Sequence, residues 1–134
     1  YTAYTPTIAV TVGTGTLTSS YCRVNNFVHY FGKLIFGSTT TVTGGGMSLS
    51  FPINIDATFA GSVKGGIGFV SCRDASAGVT NLGSGLTVGS ATTVYLECQL
   101  ANSTYVLGSA ISTNVPFTWT TSDVLSWNFY YKAA

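Results

Sequence analysis

The sequence predicts an all-β protein: an antiparallel two-sheet β-sandwich, jelly-roll-like, with about eight strands and essentially no helix. Three observations point there. Apolar and polar residues alternate with period two along most of the chain, as in strands that bury one face. Clusters of Gly, Ser, Thr and Asn interrupt the alternation at short intervals, as turns do. No longer segment carries a 3.6-residue apolar repeat built from helix formers.

Taken in order, "YCRVNNFVHYFGKLIFG" reads as a hairpin, because Asn25-Asn26 tolerates the positive φ of a tight turn. Its second strand is apolar on both faces, with Val28, Tyr30, Leu34 and Phe36 on one and Phe27, Phe31 and Ile35 on the other. A strand of that kind is covered on both sides, and a second subunit is the simplest outer cover. In "MSLSFPINI", Met47, Leu49, Phe51, Ile53 and Ile55 share an inward face, while Pro52 marks an edge strand or a bulge. In "TVYLECQL", Val94, Leu96, Cys98 and Leu100 face one way and Thr93, Tyr95, Glu97 and Gln99 the other. The last strand places Leu125, Trp127, Phe129 and Tyr131 together, opposite Val124, Ser126, Asn128 and Tyr130. "GTGT", "GSTTTVTGGG", "VKGGIG" and "NLGSG" are the breakers between strands.

A chain of 134 residues is expected to form one domain, residues 1–134, without a linker or internal repeat. Charged residues are only 7% of it, against about 25% in an ordinary domain, so Thr, Ser, Gly, Asn and Tyr must cover the surface. A net charge of +1 from scattered cations (Arg23, Lys33, Lys64, Arg73, Lys132) argues against nucleic acid as a partner. Membrane insertion is not expected, since no apolar run approaches the length of a spanning helix. Tyr1 begins in mid-pattern without a basic or apolar leader, and the missing Met points to a processed chain or a piece of a longer one. The odd cysteine count allows one internal disulfide at most, and buried, small, apolar cysteines are the simpler reading. If one bridge forms, Cys72–Cys98 is the expected pair, since both lie in strand-like runs.

Catalytic chemistry is scarce. One histidine, His29, lies in the most hydrophobic strand, where a structural role is expected. Asp56 and Asp123 lie in turn-like contexts, where Asp bonds nearby backbone, and with Asp74 and Glu97 they complete the acids. An opposed carboxylate pair or a nucleophile–base set is therefore not expected, and the chain is read as no enzyme, a small glycan or cell-wall hydrolase being the least favoured alternative. The Gly-rich stretches lack the Lys-Ser/Thr and the helix of a phosphate loop. No cofactor is expected, and His29 is too remote in sequence from the cysteines to suggest zinc. Asn102-Ser103-Thr104 fits the glycosylation acceptor pattern, which matters only on a secretory route. Tyr1, Tyr4, Tyr21, Tyr95, Tyr105 and Tyr130 are expected in polar or outward settings, where they can stack on sugar rings and donate a hydroxyl.

Several stretches resemble a C-terminal β-sandwich domain of tail and fibre proteins from tailed bacteriophages of the actinophage type. "YTPTIAVTVGTGTLTSSYCRVNNFVHYFGKLIFGSTTT" is similar to its opening, "GGGMSLSFPINIDA" to its next element and "VPFTWTTSDVLSWNFYYKAA" to its close. The resemblance implies a virion-surface location, a homotrimer, contact with other virion proteins and a host cell-surface glycan as ligand. It supplies no catalytic motif. Trp119, Trp127, Phe129, Tyr131, Phe27 and Phe31 are the aromatics expected in the core or the subunit interface.

Overall fold

The computed structural model of the chain describes residues 1–59, 65–87, 91–101 and 106–134. Its strands are β1 (Thr2–Ala3), β2 (Val10–Thr11), β3 (Thr16–Val24), β4 (Phe27–Ile35), β5 (Thr41–Val42), β6 (Ser48–Ser50), β7 (Gly65–Asp74), β8 (Val79–Thr87), β9 (Thr93–Ala101), β10 (Val106–Ala110) and β11 (Val124–Lys132). The principal sheet runs β1-β3-β4-β11-β7-β8-β9-β10, β6 also pairs with β9, and β2 pairs with β5 in a small second sheet. Every pairing is antiparallel. The expected all-β, sandwich-like architecture is therefore present, and the described residues contain no helix. The strand count exceeds eight because β1, β2, β5 and β6 are pieces of only two or three residues. Among the described residues, no helix is long and apolar enough to cross a membrane.

Asn25 closes the β3–β4 hairpin with φ of 54°, the left-handed conformation that the short turn requires. Period two then sends Val28, Tyr30 and Leu34 into the core. The opposite face is open: Phe27 is 66% exposed, and Phe31 and Ile35 are half-buried. Among the described residues, no strand layer covers the second apolar face of β4. In mid-strand, Gly32 makes room for the indole of Trp127, since a Cβ there would lie 2.4 Å from Trp127 Cζ2.

β6 is shorter than the alternation in "MSLSFPINI" predicts. It ends at Ser50, before Pro52 with its missing N–H, and the chain crosses to the end of β11, where Ile55 bridges Ala133. Phe51 and Ile55 remain buried along that crossing. Two tyrosines fasten it: Tyr4 Oη donates to Phe51 O at 3.0 Å and Tyr131 Oη to Ile53 O at 2.9 Å.

The core lies between the β4–β11–β7 part of the sheet and the β6–β9 part. Tyr30, Phe129, Leu34, Leu125 and Val70 come from the first; Leu49, Val94 and Leu96 come from the second. Trp127 and Tyr131 are buried with them. Trp119 is half-buried at the rim, stacked on Phe36 at 4.6 Å, with its Nε1–H donating to Ser112 O at 3.0 Å.

Cys72 and Cys98 do not form the expected bridge; all three cysteines are free thiols. β8 lies between β7 and β9, and two strand spacings amount to about 9.5 Å. A disulfide needs Cα atoms within about 7 Å. Burial raises the pKa of both thiols, which keeps them protonated and unreactive. The folded protein is therefore expected to label quickly at half-buried Cys22 alone, with Cys72 and Cys98 labelling only on unfolding. Mass spectrometry after alkylation, with and without denaturant, checks this; one native label is expected, and a Cys72–Cys98 bridge would contradict it.

Asp56 is held well below the usual carboxylate range, chiefly by the Lys132 ammonium at 2.6 Å and then by Thr58 N–H and Oγ1–H. Because the folded pKa is depressed, its stabilisation is present above the unfolded value of about 4 and is lost as pH falls through the folded value. Asp56→Asn should therefore flatten the fall of Tm below about pH 4. A wild-type acid limb in that variant would contradict the assignment.

Candidate functional site

Alternation along three adjacent strands builds one solvent-facing surface. β4 contributes His29, Phe31 and Lys33. Their cross-strand partners are Cys22, Ser20 and Thr18 on β3 and Tyr130, Asn128 and Ser126 on β11. β1 adds Ala3 beside Ser20, and Tyr1 reaches back over the ribbon.

The aromatic part centres on His29. Tyr130 stacks on the imidazole at 4.3 Å with 6° between planes, and Phe31 lies 5.1 Å away. Tyr1 stands edge-on to both, 5.8 Å from His29 and 5.3 Å from Phe31. Asn128 Oδ1 accepts from His29 Nε2–H at 2.9 Å, which leaves Nδ1 to accept from Tyr1 Oη–H at 3.3 Å. The Tyr1 pKa is raised above its ordinary value, chiefly by the Coulombic interaction with Cys22 and then by burial. Tyr130 is 60% exposed, so its outer ring face is free to meet a ligand. A hollow of about 120 Å³ lies beside it, between Cys22, Val24, Phe27 and His29.

Next to the aromatics runs a groove of about 710 Å³, lined on the outer face by Ser20, Phe31, Thr18, Lys33 and Ser126 and, where it passes the edge of β3, by Tyr4, Thr5, Leu17 and Ser19. Its lining holds two rings (Phe31 and Tyr4), six hydroxyls and one ammonium. Among the described residues, no carboxylate lines it. Rings of this kind can stack on apolar faces, and hydroxyls both donate and accept hydrogen bonds.

The acids lie elsewhere. Asp123 is buried and accepts from Thr120 N–H, Thr120 Oγ1–H and Ala75 N–H. Asp74 binds Ser76 and Ala77, Asp56 binds Thr58 and Lys132, and Glu97 lies on β9. Among the described residues, none of these carboxylates bonds to His29, which pairs with Tyr1 and Asn128. Among the described residues, no three of His, Cys, Asp and Glu are grouped to hold a metal ion.

The tyrosines expected outside divide into two groups. Tyr1, Tyr95 and Tyr130 are exposed, whereas Tyr4 and Tyr21 turn inward against the core. Tyr4 leaves the sheet after β1, and Tyr21 pairs with inward Tyr30, so both share its side of the ribbon. Tyr105 and the Asn102–Thr104 pattern lie outside the described residues. His29, expected within a strand covered on both faces, stands on the open face. Sequence reasoning did not single out Lys33, Asn128 or Ser126, because their role depends on β4 pairing with β11. Compared with known proteins, the chain matches no family model, no curated protein and no solved structure.

Proposed function

We propose that the chain is a virion-surface module, at the tip of a phage tail or fibre, that binds host cell-surface carbohydrate as a homotrimer and without catalysis. The observation that carries the binding reading is the solvent-facing platform of exposed Tyr1 and Tyr130 with half-buried His29 and Phe31, beside the hydroxyl-lined groove. Aromatic faces complement the C–H faces of sugars, and Thr18, Ser20 and Ser126 both donate and accept toward sugar hydroxyls. A shallow site binds weakly, and three copies facing one cell surface raise avidity without new contacts. The virion setting rests on the motif resemblance of the opening and closing stretches.

A second reading is a capsid-decoration or tail-scaffold module without a receptor. The paired Val24 and Phe27 favour it, at 67% and 66% exposed on the same outer face, because an exposed apolar patch suits protein contact. Fluorescently tagged protein, its mass fixed by light scattering, separates the two on a panel of intact bacteria. Selective staining by a trimer, competed by soluble surface glycans, is the expected result. A folded trimer that stains nothing favours the scaffold.

A further inference from the structure

We infer that the groove selects an anionic saccharide, one bearing carboxylate or phosphodiester groups, with Lys33 as the residue that reads the charge. The inference rests on the carbohydrate-binding reading above and specifies its ligand class. Strands β1, β3, β4 and β11 contain no Asp or Glu. On neighbouring β7 the single acid is Asp74 at its end, where Ser76 and Ala77 hold the carboxylate. The charges on the outer face of this ribbon are therefore cationic: Lys33 and Lys132, with Arg73 on β7.

Their states differ. Lys132 is paired with Asp56 at 2.6 Å, while Lys33 is exposed and has no ion-pair or hydrogen-bond partner among the described residues. Lys33 stands between Thr18 and Ser126 in the same cross-strand row, and all three line the groove. Phe31 is two residues away on the same face, about 7 Å along the strand. A sugar ring over Phe31 thus brings its own acidic group, or that of the next residue, toward the Lys33 ammonium. Arg73 lies two strands across and two residues along, roughly 12 Å from Lys33, at the spacing of a second anionic group on an oligomer. With no acid in the groove, an approaching ligand meets a potential of one sign, although the whole chain carries only +1.

Calorimetric titration of the full chain tests this with three probes: an oligogalacturonate, a glycerol-phosphate oligomer and neutral maltohexaose, each at low and high salt. The wild type should bind one anionic probe about fivefold more tightly than the neutral one, with the preference fading as salt rises. Whichever anionic probe is preferred tells whether carboxylate or phosphodiester is the group read. Lys33→Met, an exposed change that keeps the aliphatic stem, should erase the preference and leave the melting curve unchanged. Equal binding of all probes, or a preference that survives Lys33→Met, overturns the charge inference and leaves the carbohydrate reading standing. No binding of any probe, together with unstained bacteria, overturns both.

Discussion

A chain lacking residues 123–134 is expected not to fold. β11 is an interior strand, held by β4 over nine residue pairs and by β7 over six. Its inner face buries Leu125, Trp127, Phe129 and Tyr131, each exposed by 4% or less. Four such side chains contribute on the order of 10 kcal/mol of burial, comparable to the whole stability of a domain this size. Their loss also leaves the facing edges of β4 and β7 unpaired in the middle of the sheet. A single truncation within the strand should be severe as well. Phe129→Ala is expected to cost about 3–5 kcal/mol, because its ring is fully buried and fills the space over Gly85, where a Cβ would lie 2.5 Å from it. Circular dichroism and urea melts read both results. A soluble truncated chain with a cooperative transition would contradict the interior placement of β11.

Asp123→Ala should cost about 3 kcal/mol or more, although it removes only one short side chain. Asp123 is wholly buried, and its two oxygens gather three donors from two different loops. Oδ2 closes the 120–123 turn through Thr120, while Oδ1 reaches Ala75 N–H at 2.8 Å in the β7–β8 turn. The backbone of the same residue accepts from Phe36 N–H at 2.9 Å. Removing the carboxylate orphans donors and detaches the start of β11 from both neighbouring loops. Asp123→Asn should fall between the two, because an amide presents an N–H where a donor now points. Asp74→Ala, at an acid that serves its own turn only, is the control and should cost much less. Equal losses at Asp123 and Asp74 in urea melts would contradict the clamp.

The two faces of the strands were legible because burial imposes period two. Leu125, Trp127, Phe129 and Tyr131 could be assigned inward without knowing what lay beside them. The neighbours could not be assigned, since nothing local specifies that β11 inserts between β4 and β7. The site depends on that insertion. His29 and Asn128 are 99 positions apart and meet only through β4–β11 pairing. Lys33 becomes a groove residue only when Ser126 arrives beside it. The same gap produced the Cys72–Cys98 expectation, since two strand-like cysteines look equivalent until β8 is found between their strands. Pro52 gave the most accurate local warning, because a missing N–H ends a ladder wherever it falls.

Quantitative binding to a stained bacterial host, comparing wild type with Tyr130→Ala and Tyr95→Ala, is the decisive measurement for the outer face as receptor surface. Both tyrosines are exposed, at 60% and 42%, but Tyr95 lies on β9, away from the platform. The expected result is a loss of about tenfold or more in apparent affinity for Tyr130→Ala, with Tyr95→Ala unchanged and both melting as wild type. Wild-type binding by folded Tyr130→Ala, or an equal loss in both variants, would contradict the placement of the receptor site on the β3–β4–β11 face.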